Sequence, residues 1–513
     1  MPRRSDGSDA PHAAPVDDPA AATDSGASSR RGTVTSTFGV SRRESHDSSG
    51  FYARFSAPQL DLDASPADPS TQRALDELFC GDARSMGAVP SDSVALVVTS
   101  PPYFAGKDYE SELGAGPVPG SYVEYLEMLT DVFGECVRTL EPGGRIAVNV
   151  ANLGRRPFRS LAADVTAILQ DRLRLLLRGE VVWLKQRGSA GSCAWGSFQR
   201  PGNPVLRDTT ERIIIASKGR FDRAVNVADR RRIGLPWAST LQRDEFMDAT
   251  LDVWEFPPES ATRVGHPAPF PVALPERLIG LYTYLGDLVL DPFVGAGTTA
   301  VAALRTGRHY VGYDTEADYL AVAAERVAAE RAALTGRPAP GPIEVRSDGG
   351  PLALSDARAR GCSARECAAV VVRSAVAGFG GDPGEVLTDV AVGAGLSVDV
   401  AFTDRNGPWH VLVCGGYSAT RPGLRRSDGV LRALGTASAL RSLDDSARVV
   451  LLAPGLPGPS TSLGSMLSAA VRSGTVTAVV DLDEDPVGSF EQLLGAQSPQ
   501  TGAIGVSASR RRR

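Results

Sequence analysis

The chain has 513 residues, enough for about two or three domains with a large core, and its formal net charge is −6. No apolar run reaches the length of a bilayer span or a signal peptide, which favours a soluble, cytoplasmic protein without a membrane partner. The charge does not exclude binding to nucleic acid, because such binding depends on a local basic face. The cysteines form no Cys-x-x-Cys pair and the histidines do not cluster with them, so we expect no metal site.

Composition divides the chain into segments. Residues 1–55 are rich in Ser, Asp, Arg, Gly, Ala and Pro and have almost no aliphatic periodicity, which predicts a disordered tail. Residues 56–335 form the first predicted domain. A Pro- and Gly-containing linker follows over 336–345, and a second α/β domain is predicted over 346–513.

The first domain alternates apolar strands with helical segments. We predict helices near 123–140, 161–177 and 298–304. This alternation favours a parallel, doubly wound α/β sheet that is covered on both faces. Seven strands are predicted, over 77–82, 94–99, 145–150, 180–184, 211–216, 288–291 and 309–314.

The second predicted strand ends in the sequence Leu96-Val-Val-Thr-Ser-Pro-Pro-Tyr103. Two prolines stop the strand abruptly, so a serine hydroxyl, a carbonyl group and an aromatic ring lie at one rigid corner. Such a corner is suited to holding a flat base.

A later buried strand leads into a glycine-rich turn, Leu288-Val-Leu-Asp-Pro-Phe-Val-Gly-Ala-Gly-Thr-Thr299. Its acid, its glycines and the following helix let the backbone approach an anionic or nucleoside-bearing cofactor. Asp314 ends the next strand, 23 residues after Asp291, where an acid can accept hydrogen bonds from ribose hydroxyls.

Together the two motifs resemble the amino-group DNA methyltransferases that use S-adenosylmethionine. Their order resembles the permuted class, in which the catalytic motif precedes the cofactor motif. The resemblance covers about residues 71–333 and implies a seven-stranded S-adenosylmethionine-dependent methyltransferase sheet. It also implies the catalytic residues Ser100, Pro101, Pro102 and Tyr103.

The resemblance further implies how the cofactor is bound. Asp82 resembles the acid that meets the adenine amino group, and the stretch from His266 to Pro271 resembles the motif that lines the methionine end. The implied cofactor-binding residues are Asp82, His266, Phe270, Asp291, Phe293, Gly295, Gly297, Thr298 and Asp314.

The acceptors at the corner fit methylation of an exocyclic amine. Ser100 Oγ and the Pro101 carbonyl would accept the amine hydrogens, and Tyr103 would stack on a base that has left the duplex. No cysteine follows a proline, which argues against methylation at cytosine carbon 5. Within the resembled family, Ser before Pro-Pro-Tyr is typical of enzymes that act on cytosine N4. Adenine N6 remains the alternative.

Residues 186–262 are the predicted target-recognition region for double-stranded DNA. Trp183-Leu-Lys185, Trp195 with the residues after it, and Glu211 resemble a stretch common in the cytosine-N4 members. Aromatic residues interleaved with Arg and Lys suit a DNA-facing surface, although a run of charge can also be a solvated face. The predicted DNA-binding residues are Lys185, Arg187, Trp195, Lys218, Arg230, Arg231 and Arg232.

The second domain resembles the restriction-endonuclease-like fold in the order of its predicted helices and strands. Asp399 could be the first metal-binding acid of that fold. The next strand, from Trp409 to Gly416, has no acid and no lysine where the fold requires them, so we expect a degenerate site. An unrelated α/β domain for assembly or DNA contact is the alternative.

These observations predict a site-specific DNA methyltransferase that acts on cytosine N4. The setting could be restriction-modification or phage defence, with a cognate restriction endonuclease as a partner, or the enzyme could be solitary. Association with the nucleoid through DNA is also expected to be possible. A runner-up from another class is a non-catalytic, DNA-binding methyltransferase-like module. Intact Ser100, Tyr103, Asp291 and Asp314 argue against it.

Overall fold

The structure is a computed structural model. It describes residues 58–68, 70–71, 73–102, 119–152, 158–185, 202, 206, 209–259, 270–336, 354–359, 361–405, 407–417 and 423–495. The predicted tail and most of the predicted linker lie outside these residues.

An eight-stranded sheet forms the first part of the fold, in the order β1-β8-β7-β2-β3-β5-β4-β6. Its strands are β1 (Glu77–Cys80), β2 (Val94–Thr99), β3 (Leu140–Val150), β4 (Leu176–Leu184), β5 (Thr210–Ser217), β6 (Val253–Glu255), β7 (Leu288–Asp291) and β8 (His309–Asp314). Strand β5 runs antiparallel to both of its neighbours, and the other pairs are parallel.

Helices cover both faces of this sheet. They are α1 (Tyr122–Thr139), α2 (Leu161–Ala167), α3 (Val227–Ile233), α4 (Arg243–Ala249), α5 (Ala273–Tyr282), α6 (Thr298–Arg305) and α7 (Ala317–Leu334). One apolar cluster joins α1 and α2 to Val97, Ile146 and Ile214. A second joins α5 and α6 to Leu96 and Ile213 on the other face. The α/β fold class, covered on both faces, is confirmed.

Three details differ from the predicted first domain. Strand β6 brings the number of strands in this sheet to eight, and the antiparallel β5 makes the sheet mixed. The predicted helix over 161–177 stops early, because Ile168–Arg172 forms a π-helical turn and β4 begins at Leu176. The described part of the predicted target-recognition region supplies β5 and β6, so it is continuous with the main sheet.

A second sheet has five strands in the order β13-β12-β11-β10-β9. Strands β9 to β11 pair antiparallel, and β11 to β13 pair parallel. The elements are α8 (Leu354–Ala359), α9 (Ala364–Gly378), β9 (Leu387–Gly393), β10 (Leu396–Asp404), β11 (Gly407–Val413), α10 (Ser427–Leu443), β12 (Arg448–Ala453), α11 (Ser462–Arg472), β13 (Ala478–Asp481) and α12 (Pro486–Gly495).

Helix α4 joins this second part to the first. Asp244 Oδ2 accepts hydrogen bonds from Ala364 N at 2.8 Å and from Tyr417 N at 3.2 Å. The neighbouring Arg243 forms an ion pair with Glu366. The Asp244 carboxylate therefore caps the N-terminus of α9, where helix amide groups favour negative charge.

Within the described parts of the chain, no helix combines the length and apolar character that a membrane crossing requires.

Candidate active site

The two sequence motifs meet at the carboxyl edge of the main sheet. Strand β2 lies between β7 and β3, with Leu96 opposite Val289. Thr99 Oγ1 donates a hydrogen bond of 2.7 Å to Asp291 Oδ1, and both residues are buried. This contact places the Ser-Pro-Pro corner, which begins at the next residue, beside the glycine-rich turn.

The Asp291 carboxylate links several groups at this edge of the sheet by hydrogen bonds. It also accepts hydrogen bonds from Thr299 Oγ1 at 2.7 Å and from Phe293 N at 3.1 Å. Burial raises the pKa of Asp291 to about 6 against the opposing effect of these hydrogen bonds. The residue is only 2 % exposed, and these hydrogen bonds position the turn. Its contact with a cofactor stays a prediction.

The glycine-rich turn runs from the end of β7 to α6. Gly297 has a φ of +77°, and a Cβ there would lie 2.9 Å from the Ala323 side chain, so the position requires glycine. Gly295 N donates to Asp314 Oδ2 at 2.9 Å. Asp314 is partly exposed at the end of β8, which leaves its carboxylate accessible beside the turn.

The other predicted cofactor residues divide into three groups. Asp82 follows β1 at the same edge, and its carboxylate pairs with Arg84 at 2.5 Å, which lowers the pKa of Asp82. Phe270 and Thr298 are buried, while Phe293 is partly exposed. His266 and the catalytic candidate Tyr103 lie outside the described residues.

The predicted catalytic residues that the structure describes lie at the end of β2. Ser100 is partly exposed, Pro101 is buried and Pro102 is exposed. The corner thus has one side in the core and one side exposed.

One polar cluster near the corner includes a residue that the sequence analysis missed. Lys185 Nζ pairs with Glu211 Oε1 at 3.1 Å, and Asn149 Nδ2 donates to Glu211 Oε2 at 2.5 Å. Lys185 was predicted to contact DNA, but its ammonium group has this internal partner. The polar Asn149 within the apolar strand β3 was the signal that could have identified the cluster.

Two of the residues predicted to contact DNA have partners inside the protein. Arg230 is only 1 % exposed, and its guanidinium group lies between Glu141 and Asp287 at 3.4 Å from each. Lys218 Nζ donates to Asp92 Oδ1 and to the Leu140 carbonyl, both at 2.7 Å. Arg230 is a buried charge that needs these partners, so it stabilises the fold rather than facing DNA. The Lys218 side chain is 23% exposed, and its contact with DNA stays a prediction.

The remaining basic candidates keep their status as predictions. Arg231 is exposed and stacks on Trp237, with its guanidinium carbon 3.5 Å from the ring centre. Arg232 is also exposed and pairs with Asp229. Arg187 and Trp195 lie outside the described residues.

In the second sheet, Asp399 lies on β10. Its carboxylate pairs with Arg365 Nε at 2.6 Å and accepts a hydrogen bond from Val413 N at 2.6 Å. Burial raises the pKa of Asp399. Across the described ranges, no group of three or more His, Cys, Asp or Glu side chains is arranged to hold a metal ion.

Comparison with known proteins matches this site to one family. Residues 94–325 match the N6/N4 family described as DNA methylase. The Type II methyltransferase M.ScaI of Streptomyces caespitosus is 29% identical over 265 residues, which are 50% of this chain and 83% of that protein. The DNA adenine methyltransferase YhdJ of Escherichia coli K12 is 26% identical over 263 residues, 48% of this chain and 81% of that protein.

A solved structure is also similar in sequence. It belongs to a Thermus thermophilus protein assigned as a DNA modification methylase, in complex with S-adenosyl-L-methionine. The two are 30% identical, the match covers 51% of this chain and 94% of that chain, and the TM-score is 0.38. Residues 94–325 of this chain are thus similar to the N6/N4 DNA methylase family and to Type II methyltransferases.

Proposed function

We propose that the chain transfers a methyl group from S-adenosylmethionine to the N4 amine of cytosine at a specific site in double-stranded DNA. The observation that carries this proposal is the buried contact between Thr99 and Asp291, 2.7 Å long. It fixes the Ser-Pro-Pro corner beside the glycine-rich turn, so that one edge of the sheet presents both a base-holding group and a cofactor-holding group.

The residues beside the turn fit this cofactor. The partly exposed Asp314 carboxylate suits ribose hydroxyls, and the amide groups at the start of α6 suit the carboxylate of the methionyl part. Asp82 lies at the same edge, since Gly81 N donates to the Asp314 carbonyl at 2.9 Å. S-adenosylmethionine supplies an electrophilic methyl group on sulfonium sulfur.

The corner makes the amine a better nucleophile. The lone pair of an exocyclic amine is delocalised into the ring, and hydrogen-bond acceptors on its hydrogens favour a pyramidal nitrogen. Ser100 Oγ and the Pro101 carbonyl supply two acceptors, and Tyr103 stacks on the base that has left the duplex. These groups orient the nitrogen lone pair toward the methyl group.

The preference for cytosine depends on Ser100. In the family, serine before Pro-Pro-Tyr is typical of cytosine-N4 enzymes, whereas Asp or Asn is typical of adenine-N6 enzymes. Adenine N6 is the second candidate because YhdJ, 26% identical over 81% of its length, is a DNA adenine methyltransferase. Both reactions need the same corner, because both bases carry an exocyclic amine.

The setting belongs to the same proposal. A site-specific enzyme of this type would act in restriction-modification or phage defence, with a cognate endonuclease as its partner, and would be found at the nucleoid through DNA. We assign the second sheet a role in DNA affinity or assembly. This role, rather than metal-dependent cleavage, is proposed because Asp399, the one acid candidate from the sequence, is paired with Arg365.

The test is expression of the chain in a host that lacks DNA methyltransferases, followed by sequencing that separates modified cytosine from modified adenine. We expect N4-methylcytosine within one short sequence. Modified adenine would replace the cytosine assignment by the second candidate. Unmodified DNA together with intact cofactor binding would favour the non-catalytic module.

A further inference from the structure

A partly buried polar cluster lies beside the Ser-Pro-Pro corner and has no role in the mechanism above. It consists of Asn149 at the end of β3, Glu211 at the start of β5 and Lys185 just after β4. Asn149 is 2 % exposed, and the side chains of Glu211 and Lys185 are 12% and 23% exposed. We call these three residues the edge triad.

The register of the strands places the edge triad near Ser100. Strands β2 and β3 are parallel with Thr99 opposite Val148, so Ser100 and Asn149 follow at the same level. Side chains alternate between the faces of a strand. Asn149 therefore shares a face with Ala147, and this face also carries Leu96 and Val98, which precede Ser100 at alternate positions.

Within the edge triad, the hydrogen bonds fix which way the Asn149 amide points. An ionised carboxylate only accepts, so the Asn149 nitrogen must face Glu211, to which it donates at 2.5 Å. Lys185 balances the charge of Glu211 at 3.1 Å. The Asn149 carbonyl oxygen is then held away from Glu211, and this buried atom has no hydrogen-bond partner among the residues that the structure describes.

An unpaired buried acceptor is unfavourable unless an ordered water or a ligand satisfies it. The usual cost of such an atom is about 1–3 kcal/mol. Cytosine and adenine offer hydrogen-bond donors only on their exocyclic amines, since the other exposed ring atoms are acceptors. A serine hydroxyl carries a hydrogen of its own, so Ser100 has fewer sites that accept from an amine than a carboxylate has.

We propose that Asn149 Oδ1 accepts a hydrogen of the target amine, shared with Ser100 Oγ, while the Pro101 carbonyl accepts the other. Glu211 and Lys185 are positioning residues that hold the Asn149 amide in this orientation. The inference rests on the proposed methyltransferase function and names a further residue of the same site. It holds for cytosine and for adenine, because both bases present an amine there.

The test uses the purified full chain, DNA from a methylation-free host and S-adenosylmethionine with a labelled methyl group. We compare Asn149→Leu and Glu211→Gln with the control Glu180→Gln. Glu180 lies on the face of β4 opposite to that of the edge triad, and its carboxylate pairs with Arg212 at 3.1 Å. The measurements are the single-turnover rate of methyl transfer, the Kd of S-adenosylmethionine and the Tm.

For Asn149→Leu, we expect a transfer rate lower by about tenfold or more, corresponding to one lost hydrogen bond in the transition state. The Kd of the cofactor should stay within about twofold. The Tm should change little, because leucine removes an unpaired buried acceptor but also the amide group that donates to Glu211. Glu211→Gln should slow transfer less, since its amide oxygen still accepts from Asn149. The control should keep the wild-type rate.

Two results would overturn the inference. Asn149→Leu could transfer methyl groups at the wild-type rate, or its rate, cofactor affinity and Tm could all fall together, which would indicate a structural role only. Failure of the proposed function is distinguishable from both, because the wild-type chain itself would then transfer no methyl group to DNA and the inference would fall with it.

Discussion

Thr99 and Asp291 are 192 positions apart in the chain, yet the threonine hydroxyl donates a hydrogen bond of 2.7 Å to the aspartate carboxylate. The contact links the ends of β2 and β7, two adjacent parallel strands. Because both residues are buried, the link is protected from water. It couples the placement of the Ser-Pro-Pro corner to the conformation of the glycine-rich turn.

Removing this link should destabilise the protein while keeping its shape. Thr99→Val preserves the side-chain volume and deletes one hydrogen bond to a charged group, which is worth about 1.5–3 kcal/mol. We expect the free energy of unfolding at pH 8, measured in urea, to fall by about that amount. Thr388→Val, a change at an exposed threonine of β9, is the control. Equal stabilities of Thr99→Val and wild type would show that the contact is energetically neutral.

Asp291 should also make stability depend on pH. Its pKa is raised to about 6 in the folded chain, whereas an unfolded aspartate has a pKa of about 3.9. The folded state therefore holds a proton that the unfolded state releases between about pH 4 and 6, and stability falls as the pH rises through that window. The unfolding free energies of wild type and Asp291→Asn would be measured in urea across pH 4 to 8. The wild-type value minus the variant value should fall as the pH rises from about 4 to 6. A difference independent of pH would contradict the assignment.

Asp314 should contribute directly to cofactor affinity. Asp314→Asn keeps an acceptor for the Gly295 amide but loses the charge that strengthens a hydrogen bond to ribose. We expect affinity for S-adenosylmethionine to fall by about ten- to a hundredfold, corresponding to about 1.5–3 kcal/mol. Titration calorimetry measures it, with the exposed Asp318→Asn as a matched control. If both variants bind alike, the ribose assignment is incorrect.

Changes at the two ends of the Ser-Pro-Pro-Tyr motif should separate binding from chemistry. Tyr103→Ala should weaken capture of the target base by about 1–3 kcal/mol, the range for stacking of a base on an aromatic ring. Ser100→Ala should slow methyl transfer and leave cofactor affinity nearly unchanged. Single-turnover kinetics at several DNA concentrations distinguish the two effects. Wild-type rates in both variants would leave the motif a structural turn only.

The second sheet should not support metal-dependent DNA cleavage. Hydrolysis of a phosphodiester by a bound metal needs several carboxylates and a positioned water, and the carboxylate of Asp399 is paired with Arg365. We expect no cleavage of unmodified DNA by the purified chain with magnesium or manganese. Deletion of 346–513 should weaken DNA binding or change the oligomeric mass, with cofactor binding retained. Magnesium-dependent cutting that Asp399→Ala abolishes would show that this interpretation is wrong.

Most of the main sheet could be predicted from the sequence. Strand β2 is buried along its whole length and β7 likewise, so each appears as a continuous apolar run of the kind that parallel strands need. Strand β6 was missed because three residues, Val253–Glu255, are too short for a periodic pattern. The direction of β5 could not be predicted, since periodicity does not encode the orientation of a strand.

The chemistry of single charged residues was harder to predict. The run Arg230 to Arg232 suggested one basic surface, but α3 buries Arg230 while Arg231 and Arg232 face outward. Consecutive helical residues point about 100° apart, so a run of like residues cannot lie on one face. Asp291 was read as a cofactor ligand because its neighbours in the chain form the turn. The hydroxyl groups that engage its carboxylate became evident only from the fold.

The most direct test of the central claim is the identity of the nucleoside that receives the methyl group. The purified chain would be incubated with methyl-labelled S-adenosylmethionine and unmethylated double-stranded DNA, which is then digested to nucleosides and analysed by mass spectrometry. Our account predicts label in N4-methyldeoxycytidine, at a level that Ser100→Ala strongly reduces. Label in N6-methyldeoxyadenosine or 5-methyldeoxycytidine, or no label on DNA from a chain that binds the cofactor, would contradict it.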